Sequence, residues 1–157
     1  MAQGAVRVRE PHFKWMVVVH AGVLIGAALE VVLLHRPFLP LLAGTMFGLF
    51  LASNLMRLWV VRTLGELWSV QVMDSTRIRV VTSGPFRFVR HPNYTGVILE
   101  MISLPLIHTA WITALVTSVA YSMALSKRLR AEEGVLMANP EYRAAMGHKA
   151  RFLPGLF

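Results

Sequence analysis

The sequence predicts an all-α integral membrane protein with about four transmembrane helices, and three observations carry that prediction. Hydrophobic residues make up 55% of the 157 positions and charged residues only 15%. The mean hydropathy of +0.55 lies outside the usual soluble range. Second, Trp15 to Leu34 is almost wholly apolar, with His20 and Glu30 as its polar interruptions, and about twenty residues is what a hydrocarbon core demands of a helix. Third, placing both termini and residues 62–94 on one side gathers every Lys and Arg there except Arg36, out of 16 in all. The positive-inside bias makes that side cytoplasmic.

The length is one domain's worth of chain, so residues 1–157 read as a single unit. Cysteine is absent, which excludes a disulfide framework, a thiolate metal site and a cysteine nucleophile. The net charge of +8 does not indicate nucleic acid, because the basic residues flank apolar runs instead of clustering on a polar domain. A cleavable signal peptide is not expected, since the first apolar run exceeds a signal's hydrophobic region.

In chain order, a polar arm with Arg7, Arg9, Glu10 and Lys14 precedes the first span, 15–34. Glu30 lies one turn from its far end, within reach of headgroups or of Arg36. His35-Arg-Pro-Phe-Leu-Pro40 is a tight turn, and 41–61 is a second span. There Gly44 and Gly48 form a small-residue face that allows close helix approach. Arg57, near its end, is expected to anchor at the interface by snorkelling. Residues 62–82 mix β-branched and polar types in loose alternation and read as an extended excursion outside the bilayer. An apolar helix at 97–108, carrying Glu100 and Pro105, and another at 109–126 form a helical hairpin. Glu100 follows Gly96 by one turn on the same face, where there is room for a ligand or a facing helix, or else it is a buried carboxylate hydrogen-bonded to the preceding loop. Lys127 onward continues the last span as a charged helix that Asn139-Pro140 stops, and the basic, aromatic tail lies on the membrane or folds back over that loop. Segments 62–96 and 127–157 are then cytosolic.

The chain's organising stretch is Ser83-Gly-Pro-Phe-Arg-Phe-Val-Arg-His-Pro-Asn-Tyr94-Thr-Gly96. Gly84-Pro85 and His91-Pro92 fix a bent path, since proline sets its own φ and moves the residue before it out of the α region. A rigid, cationic, aromatic elbow at a helix mouth suits an anionic, aromatic ligand such as a nucleotide-like cofactor. It also suits a juxtamembrane loop with basic residues at lipid phosphates. Arg128 and Glu132 stand four apart in the order that helps a helix less, a hint that each has a separate partner. No dinucleotide-binding glycine motif, phosphate-binding loop or serine-hydrolase elbow is present. The six histidines lack metal-ligand spacing, so no metal site is expected.

Arg90-His-Pro-x-Tyr94-x-Gly96, followed by Arg128-x-x-x-Glu132-Glu133, resembles the isoprenylcysteine carboxyl methyltransferase family, integral membrane enzymes that use S-adenosylmethionine. The resemblance runs from about Leu64 to Pro154. It implies a cytosolic cofactor pocket formed by the elbow and roofed by the C-terminal tail, with a lipid-facing tunnel between helices. Carried over by position, Gln71, Arg79, Val80, Val81, Phe86, His91, Pro92, Asn93, Tyr94 and Glu132 would surround S-adenosylmethionine, and Arg128 would face the acceptor. The family often has tyrosine where Phe86 stands. The reaction implied is methyl transfer to an oxygen of a lipophilic acceptor entering from the bilayer, with S-adenosylhomocysteine as product. The acceptor could be an isoprenylcysteine-like carboxylate or, as in the small bacterial branch, the acidic hydroxyl of a long-chain alkylpyrone or alkylresorcinol. A guanidinium disfavours a cationic amine acceptor, which ranks phospholipid N-methylation second. A nicotinamide-dependent lipid reductase of similar layout and a non-enzymatic membrane scaffold are the rivals from other classes.

Overall fold

A computed structural model describes residues 6–7, 13–68, 73–74 and 80–155. The described architecture is all-helical apart from one two-residue ladder: α1 (Phe13–Leu33), α2 (Pro40–Leu64), α3 (Pro92–Leu106), α4 (Trp111–Leu136) and the short α5 (Pro140–Met146). The ladder pairs β1 (Val6–Arg7) antiparallel with β2 (Met73–Asp74). In the bundle α3 packs on α2 and α4, and α1 packs chiefly on α4.

Local chemistry explains the element boundaries. Pro40 and Pro92 occupy the first turns of α2 and α3, where a missing N–H costs nothing and the fixed φ is already helical. Asn139 caps α5, its Oδ1 accepting from the Glu141 and Tyr142 amides. Arg143 donates twice to the Met137 carbonyl, at 3.0 and 2.7 Å, closing the end of α4.

Several expectations are corrected. The second helix runs on to Leu64 and into a 3-10 turn at Gly65–Leu67, so the extended excursion does not begin at 62. Its described extended part is Met73–Asp74. The third helix starts at Pro92, five residues before the expected Val97, and continues through Glu100 and Pro105 to Leu106. As expected, the last span and its charged extension are one continuous helix, 26 residues long. Lys14–Leu33 and Pro40–Leu67 are the described helices long and apolar enough to cross a membrane. At 15 residues α3 rises only about 22 Å, short of a full crossing. Gly44 and Gly48 face open space among the described residues.

Close approach occurs instead at Gly96. A Cβ there would stand 2.8 Å from Arg57 Cγ and 3.2 Å from the Ser53 carbonyl, so α3 can lie directly on α2. At that contact Arg57 pairs with Glu100. Arg57 is therefore turned into the α2–α3 seam, not snorkelled outward, because a carboxylate in low dielectric is a better partner than distant water. Glu100 is engaged by Arg57, not by the elbow.

The core joins Met16, Val19 and Val23 of α1, Tyr94, Val97 and Met101 of α3, and Tyr121, Ala124 and Leu125 of α4. Much of the remaining apolar surface points outward: Leu41 is 87% exposed and Leu115 68%. A monomer in water does not sustain such patches, whereas hydrocarbon favours them.

At the opposite pole, Glu30 joins three segments. Its carboxylate pairs with Arg36 at 2.7 Å and accepts from the Ile112 and Thr113 amides at 3.1 and 2.7 Å. A side chain from α1 thus caps the N-terminus of α4, satisfying amide donors that have no partner within their own helix. Pairing with Arg36 was legible in the sequence; the cap was not. Replacing Glu30 with alanine orphans those amides and Arg36 together, and is expected to cost about 2–4 kcal/mol. Thermal denaturation of the purified protein in detergent checks this, and an unchanged Tm would contradict the assignment.

Candidate functional site

The elbow is shaped by one glycine and two prolines. Gly84 has φ +58°, and a Cβ there would meet Thr63 Oγ1 of α2 at 2.4 Å, so only glycine lets the loop turn flat against that helix. Pro85 and Pro92 are buried. The 3-10 turn Gly84–Arg87 and the bend at Arg90 then bring the chain into α3 with His91 as its N-cap residue.

The C-terminal tail closes over this elbow. The Arg90 and His91 amides donate to the Ala150 and Arg151 carbonyls, both at 2.9 Å. Thr95 Oγ1 donates to the Phe152 carbonyl at 2.9 Å, and Lys149 Nζ to the Phe86 carbonyl at 2.8 Å. Of the two placements the sequence left open, the fold adopts the one over the elbow.

Below the tail, the two polar clusters meet. The Tyr94 hydroxyl donates to Glu132 and accepts from Arg128 Nε at 2.7 Å. The Arg128 guanidinium carbon lies 5.6 Å from the Tyr94 ring centre. His91 stacks on Tyr94 with centroids 5.5 Å apart. Its Nε2 reaches Glu133 at 3.2 Å, and its Nδ1 lies 3.8 Å from Glu132. Arg128 and Glu132 therefore share Tyr94, and each also has a partner of its own, Arg128 Nη1 lying 3.6 Å from Met16 Sδ and Glu132 Oε1 3.8 Å from His91 Nδ1.

Burial pushes the Tyr94 phenol up, with Glu132 adding to the effect against Arg128, so it stays a neutral donor. Burial pushes His91 below its ordinary value, against the pull of Glu132 and Glu133. Burial pushes the Glu133 carboxyl up, but Arg151 hydrogen bonds, the Arg90 charge and His91 outweigh that and hold it low. At neutral pH the site thus holds a neutral His91 imidazole beside an ionised Glu133 carboxylate.

Not every expected residue joins this group. Asn93 is half-buried between Pro92 and Tyr94, and its Oδ1 is buried with no hydrogen-bond partner among the described residues. Val80 and Val81 are half-buried just before the elbow. Phe86 enters through its carbonyl; among the described residues, the rings beside His91 are Tyr94 and Phe152. Gln71 and Arg79 lie outside the described residues. Sequence reasoning gave no role to Glu133, which holds Arg90 at 3.0 Å and Arg151 at 2.8 Å as well as His91. Its place in the Glu132-Glu133 doublet was the available signal.

Residues 46–138 match the isoprenylcysteine carboxyl methyltransferase (ICMT) family. The chain belongs to the ICMT family. The match takes in most of α2, which the motif resemblance did not reach, and spans the elbow, hairpin and Arg128–Glu132. Among similar proteins, the uncharacterized protein YpbQ of Bacillus subtilis (strain 168) is 29% identical over 85% of this chain and 79% of its own. An uncharacterized protein of Haemophilus influenzae (strain ATCC 51907 / DSM 11121 / KW20 / Rd) is 27% identical over 87% of this chain and 79% of its own. Membership implies a membrane methyltransferase, and enzymes of the ICMT family use S-adenosylmethionine. The residues present fit that donor. The orphaned Asn93 acceptor calls for a donor group, Glu132 can accept from hydroxyls, and the stacked His91 and Tyr94 faces suit a sulfonium.

The two shifted groups give stability one direction with pH. Folding favours neutral His91, so that contribution is full above pH 6.5, the ordinary value, and is lost as pH falls from there through the lowered folded pKa. Folding also favours ionised Glu133, whose contribution is full above 4.5 and is lost as pH falls through its own lowered value. Denaturation followed from neutral to acid pH should show both losses. Glu133→Gln should flatten the more acidic one and leave a loss beginning near pH 6.5; identical profiles would contradict the assignment.

Proposed function

We propose that this ICMT-family protein transfers the methyl of S-adenosylmethionine to an anionic oxygen of a lipophilic acceptor, at the cytosolic face of a bacterial inner membrane. The observation that carries the reading is the Tyr94 hydroxyl bonded to both Arg128 and Glu132, because it brings the residue assigned to the methyl acceptor and the residue assigned to the methyl donor to one point. When bound, S-adenosylmethionine supplies a methyl on a sulfonium sulfur and leaves as S-adenosylhomocysteine.

In this reading Glu132 accepts hydroxyl hydrogens of the donor while Tyr94 fixes one of its oxygens. Asn93 takes a further donor group, and the His91 and Tyr94 faces lie beside the sulfonium. Gln71, Arg79, Val80, Val81, Phe86 and Pro92 complete the enclosure, and the tail from Lys149 to Phe152 keeps water out. Arg128, held by Tyr94 and placed against Met16 Sδ at 3.6 Å, presents a permanent positive charge to the acceptor oxygen. Its work is alignment of nucleophile, methyl and sulfur. An oxygen that is already ionised has no proton to lose, so no general base is required. A carboxylate of the isoprenylcysteine type or the acidic hydroxyl of a long-chain pyrone or resorcinol meets this condition, and a cationic amine does not. The acceptor enters from the bilayer, both termini lie in the cytoplasm, and residues 1–157 act as one unit.

Two variants separate the donor and acceptor roles. Glu132→Gln should weaken S-adenosylhomocysteine binding by about tenfold or more while the protein stays folded. Arg128→Lys should leave that binding within about twofold but lower methyl transfer by roughly a hundredfold. Calorimetry and incorporation of labelled methyl into membrane lipid extracts check these outcomes. If NADPH raised the Tm and S-adenosylhomocysteine did not, the reductase reading would replace this one. Binding unaffected by Glu132→Gln would leave only a scaffold.

A further inference from the structure

His91 is placed between carboxylates that no expected role explains. From α4, Glu133 Oε1 lies 3.2 Å from Nε2, and Glu132 Oε1 lies 3.8 Å from Nδ1. Tyr94 of α3 and Phe152 of the tail flank the ring. Arg90 of the elbow and Arg151 of the tail hold Glu133 from its other side at 3.0 and 2.8 Å. The His91 side chain is 3% exposed.

We propose that Glu133 is a positioning residue that locks His91 as the Nε2–H tautomer, so that the Nδ1 lone pair and Glu132 Oε1 form a paired acceptor for one hydroxyl or ammonium group of the methyl donor. An ionised carboxylate only accepts hydrogen bonds, so at 3.2 Å it is Nε2 that carries the hydrogen. Burial keeps the ring neutral, which leaves Nδ1 without a proton. The other Glu132 oxygen is taken by the Tyr94 hydroxyl. Two acceptors therefore face each other across 3.8 Å, too far apart to bond to each other and placed to share one donor. Arg90 and Arg151 stop Glu133 from rotating away, and the tail contributes to the tautomer through this contact. The inference rests on the proposed donor site but concerns the ring's state before anything binds.

The test is nitrogen NMR of the whole chain labelled with 15N-histidine in detergent, the His91 signals being those lost in His91→Gln. Binding of S-adenosylhomocysteine is measured alongside. At neutral pH the expected His91 spectrum is a neutral ring protonated at Nε2. Glu133→Ala, which removes the acceptor, should shift it toward Nδ1–H or a mixture and weaken binding about tenfold. Arg151→Ala keeps the His91–Glu133 contact, so most of the Nε2–H form should remain. A charged or Nδ1-protonated ring in the unaltered protein overturns the proposal, whether or not any variant folds. An unchanged tautomer and affinity in Glu133→Ala overturn it as well. The expected tautomer, responsive to Glu133, in a protein that never binds S-adenosylhomocysteine would support the lock and overturn the donor reading instead.

Discussion

One phenolic hydroxyl ties the two halves of the site together. Tyr94 stands in the first turn of α3, Arg128 and Glu132 in the last third of α4, and the Tyr94 oxygen accepts from one while its hydrogen goes to the other. Tyr94 is buried against Val97, Met101 and Tyr121, so the oxygen cannot move without disturbing the core. This is why a pair of charged groups at a membrane surface, which would ordinarily sample many rotamers, has a fixed geometry. The stabilisation is charge-assisted, and the surrounding low dielectric strengthens it.

The rest of the fold supplies the conditions for that contact. Gly96 lets α3 rest on α2, and the Arg57–Glu100 pair at the same place fixes how the helices sit. Gly84 allows the elbow to lie flat on Thr63. At the far pole, Glu30 ties α1 to the start of α4, setting the position of the helix that carries Arg128 and Glu132. Both of these carboxylates interrupt apolar sequence, and each joins neighbouring helices where the hydrophobic effect cannot, since lipid tails are as apolar as leucine.

The sequence made the membrane character, the bend before α3, the hairpin and the family legible, because each rests on local patterns: run length, paired prolines, motif spacing. It also singled out Tyr94, Arg128, Glu132 and His91, which the fold brings into contact. What it missed depends on contacts between distant residues. Arg57 read as a snorkelling anchor because Glu100 is 43 positions away. Gly44 and Gly48 looked like the close-approach face, yet Gly96 has that role, since the packing partner decides which glycine matters. The start of α3 at Pro92 was hidden by the habit of beginning a span at its first apolar residue. Glu133 was visible only as half of a doublet. Its importance comes from Arg90, His91 and Arg151 converging on it from different segments.

In the proposed reading, charge and shape together suit transfer from a cationic donor to an anionic acceptor. Tyr94 stays un-ionised, Glu133 stays ionised, and the Arg128 guanidinium is held by the Tyr94 oxygen, so the groups need little rearrangement when charge is neutralised. Photo-crosslinking of methyl-labelled S-adenosylmethionine to the folded protein, with peptide mapping, examines this convergence most directly. Label should appear in peptides containing residues 91–94 and 128–133 and be suppressed by excess S-adenosylhomocysteine. Label confined to other segments, or insensitive to the competitor, would contradict a shared site for the two clusters.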